Sequence, residues 1–169
     1  MWKIRQAVDN DRTRVKDIVH LTIESVYPRY YPKGAVDFFL AHHNNANIQA
    51  DIYDGKVFLL EKAGAPVGTV TTDKDELCRL FVLPDFQGCG FGTALLDFAE
   101  HRISQTYDST LVHSSLPAKT IYLKRGYLFV SSHAILTDSG DYLCYDIMRK
   151  QQTCQQKMDE DENLQCRAN

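Results

Sequence analysis

The chain has 169 residues, enough for one domain with its own core and cramped for two. Hydrophobic residues make up 44% and charged residues 24%, a globular composition, and the formal net charge is -3. Two basic residues (Lys157, Arg167) face four acidic ones (Asp159, Glu160, Asp161, Glu162) after Lys150, so the body is close to neutral; this excludes a nucleic-acid binder built on a basic stripe, and any anionic ligand must be held by local groups.

No apolar run approaches the roughly 20 residues that span a bilayer, so no membrane partner is expected. No signal-like apolar segment precedes the first strand-like residues. The five cysteines (Cys78, Cys89, Cys144, Cys154, Cys166) form no C-x-x-C, which fits neither a disulfide framework nor a zinc site and suits a cytoplasmic setting.

In chain order, Trp2 to Ala7 reads as a strand. Asp9 or Asn10 offers a helix N-cap, and a helical stripe follows through Val15, Ile18, Val19, Thr22 and Val26. It ends before Pro28, because prolines 28 and 32 lack a donor and restrict their predecessors. Helices are expected over 35–42 and 47–53. Strands are expected over 56–61 and 67–72, joined by a turn with Gly64 and Pro66, and over 76–83 after the turn Asp73-Lys74-Asp75. A helix from about Gly92 to Ser104 buries Leu95, Leu96, Phe98, Ala99 and Ile103. A strand over 109–113, a helix over 117–124 closed by Gly126, and a hairpin of strands 127–134 and 141–148 complete the body. This order predicts an α+β fold: a mixed, mostly antiparallel central sheet of about six or seven strands with helices on both faces. Residues 1–150 form the single domain, and the polar, acidic segment 151–169 is expected to be a mobile tail.

The stretch Leu80-Phe81-Val82-Leu83-Pro84-Asp85-Phe86-Gln87-Gly88-Cys89-Gly90-Phe91-Gly92-Thr93 carries the chemistry. A strand runs into three alternating glycines and a helix starts there. Glycine lets backbone N–H groups approach an anion, and the helix N-terminus adds free donors and partial positive charge. A P-loop would need a lysine after Gly92, and a dinucleotide fingerprint begun at Gly88 would need glycine at 93. The remaining alternatives are a different diphosphate ligand or a bare strand-to-helix turn.

The string resembles the acetyl-CoA signature Q/R-x-x-G-x-G/A of the GNAT superfamily of N-acetyltransferases, with Gln87, Gly90 and Gly92 at its defined positions. A second element agrees: Ala118, Tyr122 and Gly126-Tyr127 match the helix that follows the family's fifth strand. The order of elements agrees over roughly residues 2 to 149. The resemblance implies that strands 76–83 and 109–113 splay apart. Acetyl-CoA, a co-substrate rather than a resident cofactor, then lies along the first of them. Its pantetheine pairs with backbone near Phe81 and Val82. Its pyrophosphate rests on N–H groups of Gly88, Cys89, Gly90, Phe91, Gly92 and Thr93, with Gln87 opening the loop. Ser115 stands where the family often has asparagine. It either touches the coenzyme or caps the helix near Pro117.

Acetyl transfer needs a neutral amine attacking a thioester, and a lysine-like amine is roughly 0.04% neutral at pH 7. A base therefore helps, and an acid must protonate the leaving thiolate. The resemblance makes Tyr122 the acid, protonated at pH 7 with an ordinary value near 10; a core tyrosine is the alternative. Glu76 is the base candidate, on one alternation with Cys78, Leu80 and Val82; an exposed charge at a strand start is the alternative. His113 is a further base candidate, and Cys89 is expected to be a bystander thiol. Adjacent His42 and His43 point apart, so no metal is expected. Tyr30 and Tyr31 are candidates for binding the acceptor through an aromatic cage, while Phe38 and Phe39 are expected in the core. The expected reaction is transfer of acetyl from acetyl-CoA to a primary amine of a small molecule or peptide. The alternative is a non-catalytic acyl-CoA sensor or interaction module on the same fold. A homodimer is compatible with the resemblance, and no residue decides it.

Overall fold

The computed structural model describes residues 1–152. One seven-stranded sheet, in the order β1-β2-β3-β4-β5-β7-β6, organises the chain. Its strands are β1 (Trp2–Gln6), β2 (Val57–Lys62), β3 (Ala65–Asp73), β4 (Glu76–Val82), β5 (Ser109–Ser115), β6 (Leu128–Leu136) and β7 (Tyr142–Gln151). Every neighbouring pair is antiparallel except β4 and β5. The fold is α+β and GNAT-like, as the order of elements predicts.

Both faces of the sheet are covered, and the strand period shows how. In β2, Val57 and Leu59 belong to one apolar cluster and Phe58 and Leu60 to the other. Helices α1 (Arg12–Val26), α2 (Lys33–His42) and α3 (Asn45–Tyr53) close the first face with Val15, Val19, Ile23 and Ile48. Helices α4 (Phe91–Ser104) and α5 (Lys119–Lys124) close the second with Leu95, Leu96, Ala99, Ile103 and Tyr122. Each fully buried leucine or isoleucine in these clusters contributes about 1.5–3 kcal/mol. No helix among the described residues is long and apolar enough to cross a membrane.

Local departures have local causes. Neither Asp9 nor Asn10 caps α1: a 3-10 turn over Asp9–Asp11 comes first, and the Asp11 carboxylate accepts the Val8 N–H at 2.9 Å. The same carboxylate pairs with Arg5 at 2.6 Å, which holds it below the usual carboxylate range. Ile23 joins the buried stripe of α1. Phe38 is not a core residue: it is 37% exposed and stacks on His42 at 6.4 Å, one helical turn away. Strand β7 runs three residues beyond the expected Met148, because Arg149, Lys150 and Gln151 pair with Leu111, Thr110 and Ser109. Gln152 is still tied to Asp108 and Thr110. The expected tail from residue 153 onward lies outside the described residues.

Candidate active site

The site begins where the sheet fails to pair. β4 and β5 are parallel and in register only at Glu76–Leu111 and Leu77–Val112. Beyond those pairs the strands part, while β4 runs on to Val82 and β5 to Ser115. Two cavities fill the wedge. A cleft of about 340 Å³ lies toward the glycine loop, lined among others by Val82, Gln87, Gly88, Gly92, Ser115 and Ala118. A cavity of about 620 Å³ lies on the α2–α3 side, lined among others by Glu76, Cys78, His113, Ser115 and Tyr145. Ser115 lines both.

The floor of the cleft is the loop. Gly88 (φ 74°) and Gly90 (φ 83°) occupy the left-handed region, and Gly90 is the N-cap of α4. An L side chain there is strained, and both positions open onto free space. Helix α4 starts at Phe91, whose ring is buried in the second cluster. Phe91 thus has only its backbone to give a ligand, as do the glycines. Cys89 is exposed, and Thr93 lies exposed in the first turn of α4. The first N–H groups of a helix have no intrahelical acceptor, so this end offers donors to an anion. Gln87 does more than open the loop: its amide donates to the Val82 carbonyl at 2.9 Å. The Thr22 hydroxyl of α1 lies 3.1 Å from the same carbonyl, with its single proton nearer the Ile18 carbonyl at 2.7 Å. The Val82 oxygen is therefore already engaged by Gln87.

Ser115 stands at the junction of the two cavities. It occupies the N-cap position of the 3-10 turn Leu116–Ala118, yet its side chain makes no cap bond. Its Oγ instead accepts from the Tyr27 hydroxyl at 3.2 Å. Burial pushes the Tyr27 phenol up, against the lowering effect of Ser115. Sequence reading missed Tyr27 as a cleft residue, although its place between the end of α1 and Pro28 marks the turn that brings it there. Tyr122 lies in α5, 5% exposed and edge-on to Tyr127 at 5.2 Å. Burial, then the nearby Tyr27 and Glu100, raise its phenol above the ordinary value. Its helix neighbours Ala118 and Ile121 line the cleft. Among the described residues no partner holds its hydroxyl, and no sealed side-chain oxygen or nitrogen lacks one. Tyr122 itself lines neither cavity and packs in the second apolar cluster, behind the cleft-lining Ile121 and Ala118.

In the larger cavity the two base candidates meet. His113 Nδ1 is 3.9 Å from Glu76 Oε1. The expected alternation of Glu76, Cys78, Leu80 and Val82 breaks at Cys78. Thr72 faces Leu77 and Thr71 faces Arg79, so Cys78 is an extra residue in β4. Glu76, Cys78 and Arg79 consequently all line this cavity, while Leu80 and Val82 pack on the opposite face.

That bulge also buries Arg79, a residue the sequence reading passed over. Its guanidinium donates to His43 Nδ1 (3.1 Å), Thr71 Oγ1 (3.1 Å) and Asp51 Oδ2 (2.7 Å). Because His43 Nδ1 accepts, its ring proton sits on Nε2. Burial first, then the Arg79 charge, lower the His43 imidazole to about 3. Neither Tyr30 nor Tyr31 lines either cavity. Tyr30 is exposed and Tyr31 is buried in the first cluster. The Tyr31 hydroxyl accepts the Leu116 N–H (2.7 Å) and donates to the Cys144 carbonyl (2.9 Å). It ties the segment just before α2 to β7 and to the turn after β5. Among the described residues no group of three or more His, Cys, Asp or Glu is placed to hold a metal ion.

A family profile described as an acetyltransferase (GNAT) domain matches residues 26–136. Solved structures share the fold. A GCN5-related N-acetyltransferase from Rhodopseudomonas palustris is 23% identical with a TM-score of 0.82, covering 89% of this chain and 95% of that one. The PaiA N-acetyltransferase of Thermoplasma acidophilum, solved in complex with coenzyme A, is 16% identical with a TM-score of 0.70, covering 90% of this chain and 99% of that one. Ard1 of Thermoplasma volcanium is 17% identical with a TM-score of 0.65, covering 90% and 98%. No curated protein matches the chain significantly. The profile spans most of the wedge and both cavities, and the chain belongs to the GNAT acetyltransferase family.

Proposed function

We propose that this protein transfers the acetyl group of acetyl-CoA to a primary amine of a small molecule or peptide. The observation that carries the reading is the wedge between β4 and β5. It opens a cleft over the glycine loop and a second cavity around Glu76, and the two share Ser115. In this reading the pyrophosphate rests on N–H groups from Gly88 to Thr93. The pantetheine follows β4 past Phe81 and Val82, and Ser115 touches the coenzyme near its reactive end. Since the Val82 carbonyl is already engaged by Gln87, other polar atoms of β4 hold the pantetheine.

The amine enters through the larger cavity. Glu76, with His113 beside it, takes the first proton from the incoming ammonium. The neutral amine attacks the thioester carbon, the new C–N bond forms and the C–S bond breaks. Tyr122 gives its proton to the departing thiolate and regains one from the nitrogen of the new amide. A phenol raised by burial stays protonated until that moment. The side chains of Tyr30 and Tyr31 take no part. A cytoplasmic setting suits the three exposed free cysteines among the described residues.

Two measurements test the reading. Calorimetric titration with acetyl-CoA should show binding that Gly90→Trp abolishes. Thiol release should then depend on an added amine from a panel of amino acids, polyamines and peptides. Binding without thiol release from any amine would make the chain an acyl-CoA-binding module instead. No binding at all would remove the coenzyme assignment and the transferase reading with it.

A further inference from the structure

Aromatic rings stand on both sides of the wall between the two cavities. Tyr27 lines the cleft, and Phe39, which lines the larger cavity, meets its ring edge-on at 4.8 Å. Phe81 lines the cleft, and His43, which lines the larger cavity, meets it edge-on at 5.7 Å. Two ring pairs therefore cross the wall, with the Tyr27 and Phe81 centroids 6.4 Å apart on the cleft side. Where the rings end, the Tyr27 hydroxyl donates to Ser115 Oγ at 3.2 Å, on the residue that lines both cavities.

The Tyr27 ring is held from several sides. It is 7% exposed, and Phe81 is 8% exposed. Tyr27 closes α1 with its N–H on the Ile23 carbonyl, and its own carbonyl accepts the N–H groups of Tyr30 and Tyr31 at 2.8 and 3.0 Å. Pro28 follows and fixes the backbone just beyond it. The ring also packs on Tyr31, centroids 5.6 Å apart, and the Tyr31 hydroxyl is itself anchored to Leu116 and Cys144. Swinging Tyr27 aside breaks the Ser115 bond and unpacks three other rings. A wall packed this closely yields poorly to added methylenes.

In the transferase reading, on which this inference rests, the coenzyme fills the cleft and the amine comes through the larger cavity. The acyl group is then handed over at this wall, beside Ser115. Acetyl carries a single carbon beyond its carbonyl, and a longer chain needs space that the rings occupy. We infer that Tyr27, tied to Ser115 and backed by Phe39, sets the acyl-chain length, admitting acetyl-CoA and rejecting straight-chain acyl-CoAs of four carbons or more. Shortening Tyr27 joins the cleft to the larger cavity and gives a longer chain an apolar seat against Phe39.

The test is calorimetric titration of the full chain with free CoA, acetyl-CoA, butyryl-CoA and hexanoyl-CoA, which needs no acceptor amine. The unmodified chain should bind butyryl-CoA at least about tenfold more weakly than acetyl-CoA, since a closed site rejects each extra methylene by roughly that factor. In Tyr27→Ala the order should reverse, each methylene that finds an apolar seat strengthening binding by about fourfold. A merely structural role for Tyr27 would weaken all four ligands together and leave their order alone. Tyr27→Phe keeps the ring and should keep the unmodified order. Tyr27→Leu removes less volume and serves where Tyr27→Ala does not fold. Equal affinity for acetyl- and butyryl-CoA in the unmodified chain, or an unreversed order in the shortened variants, overturns the inference and leaves the transferase reading standing. Binding of none of the four ligands removes the transferase reading, and this inference with it.

Discussion

The two cavities that meet at Ser115 are built from different materials. Among the described residues the cleft over the glycine loop has no lysine, arginine, aspartate, glutamate or histidine in its lining; its shape comes from left-handed glycines, a helix start and a Val82 carbonyl already tied down by Gln87. The larger cavity is lined by Asp51, Glu76, Arg79 and three histidines. One side is set by backbone conformation and the other by side-chain charge. Substitutions that preserve charge should hurt the first and spare the second, and substitutions that preserve shape should do the reverse.

The largest test of that contrast is Gly90→Trp. A residue with a side chain is strained at φ 83°, and the indole fills the loop. We expect at least about a hundredfold loss of acetyl-CoA affinity by calorimetry, while Gly90→Ala isolates the roughly 1–2 kcal/mol backbone strain from the blockage. Next comes Tyr122→Phe, which keeps shape and removes one proton. Its kcat should fall about a hundredfold with little change in coenzyme binding, and undiminished turnover would remove Tyr122 as the acid.

The third test is pH. His43 sits lowered to about 3 in the folded chain and near 6.5 when unfolded, so the unfolded chain binds the extra proton between those values. The associated stability is complete above pH 6.5 and is lost as pH falls toward 3. Urea melts should show about 2 kcal/mol less stability at pH 5 than at pH 7, a difference that shrinks in His43→Phe. Asp11 and Asp146, held low by Arg5 and Lys119, lose their contribution only in more acidic solution. Glu76→Gln should lower turnover by roughly tenfold, with the deficit shrinking as pH rises and more amine is neutral. Cys89→Ser should change neither binding nor turnover by more than about twofold, since that thiol is exposed and its backbone is the useful part.

The contrast also explains what could be read from the chain alone. The glycine loop is local: three glycines between a strand and a helix state their conformation without help from elsewhere. The helical stripe of α1 and the alternation in β2 are local for the same reason. What escaped reading depends on partners distant in sequence. The bulge at Cys78 exists because β3 and β4 slip by one residue between Thr71 and Thr72, and no periodicity within β4 announces it. Arg79 is buried because Asp51 and His43, from α3 and the end of α2, wait for it across 28 and 36 positions. Tyr31 looked available for a ligand, and its hydroxyl is engaged by backbone 85 and 113 residues away.

Counted by strands, the sheet is continuous; counted by hydrogen bonds, it is two leaves. β1 to β4 form one leaf, β5, β7 and β6 the other, and the seam between them is stitched at two residue pairs. A molecule lodged in the wedge touches both leaves and acts as the missing stitches. Both apolar clusters already cross the seam, Leu143 joining the first and Val112 and Met148 the second, so filling the site should show as slower amide exchange along β4 and β5 and not as a change of fold.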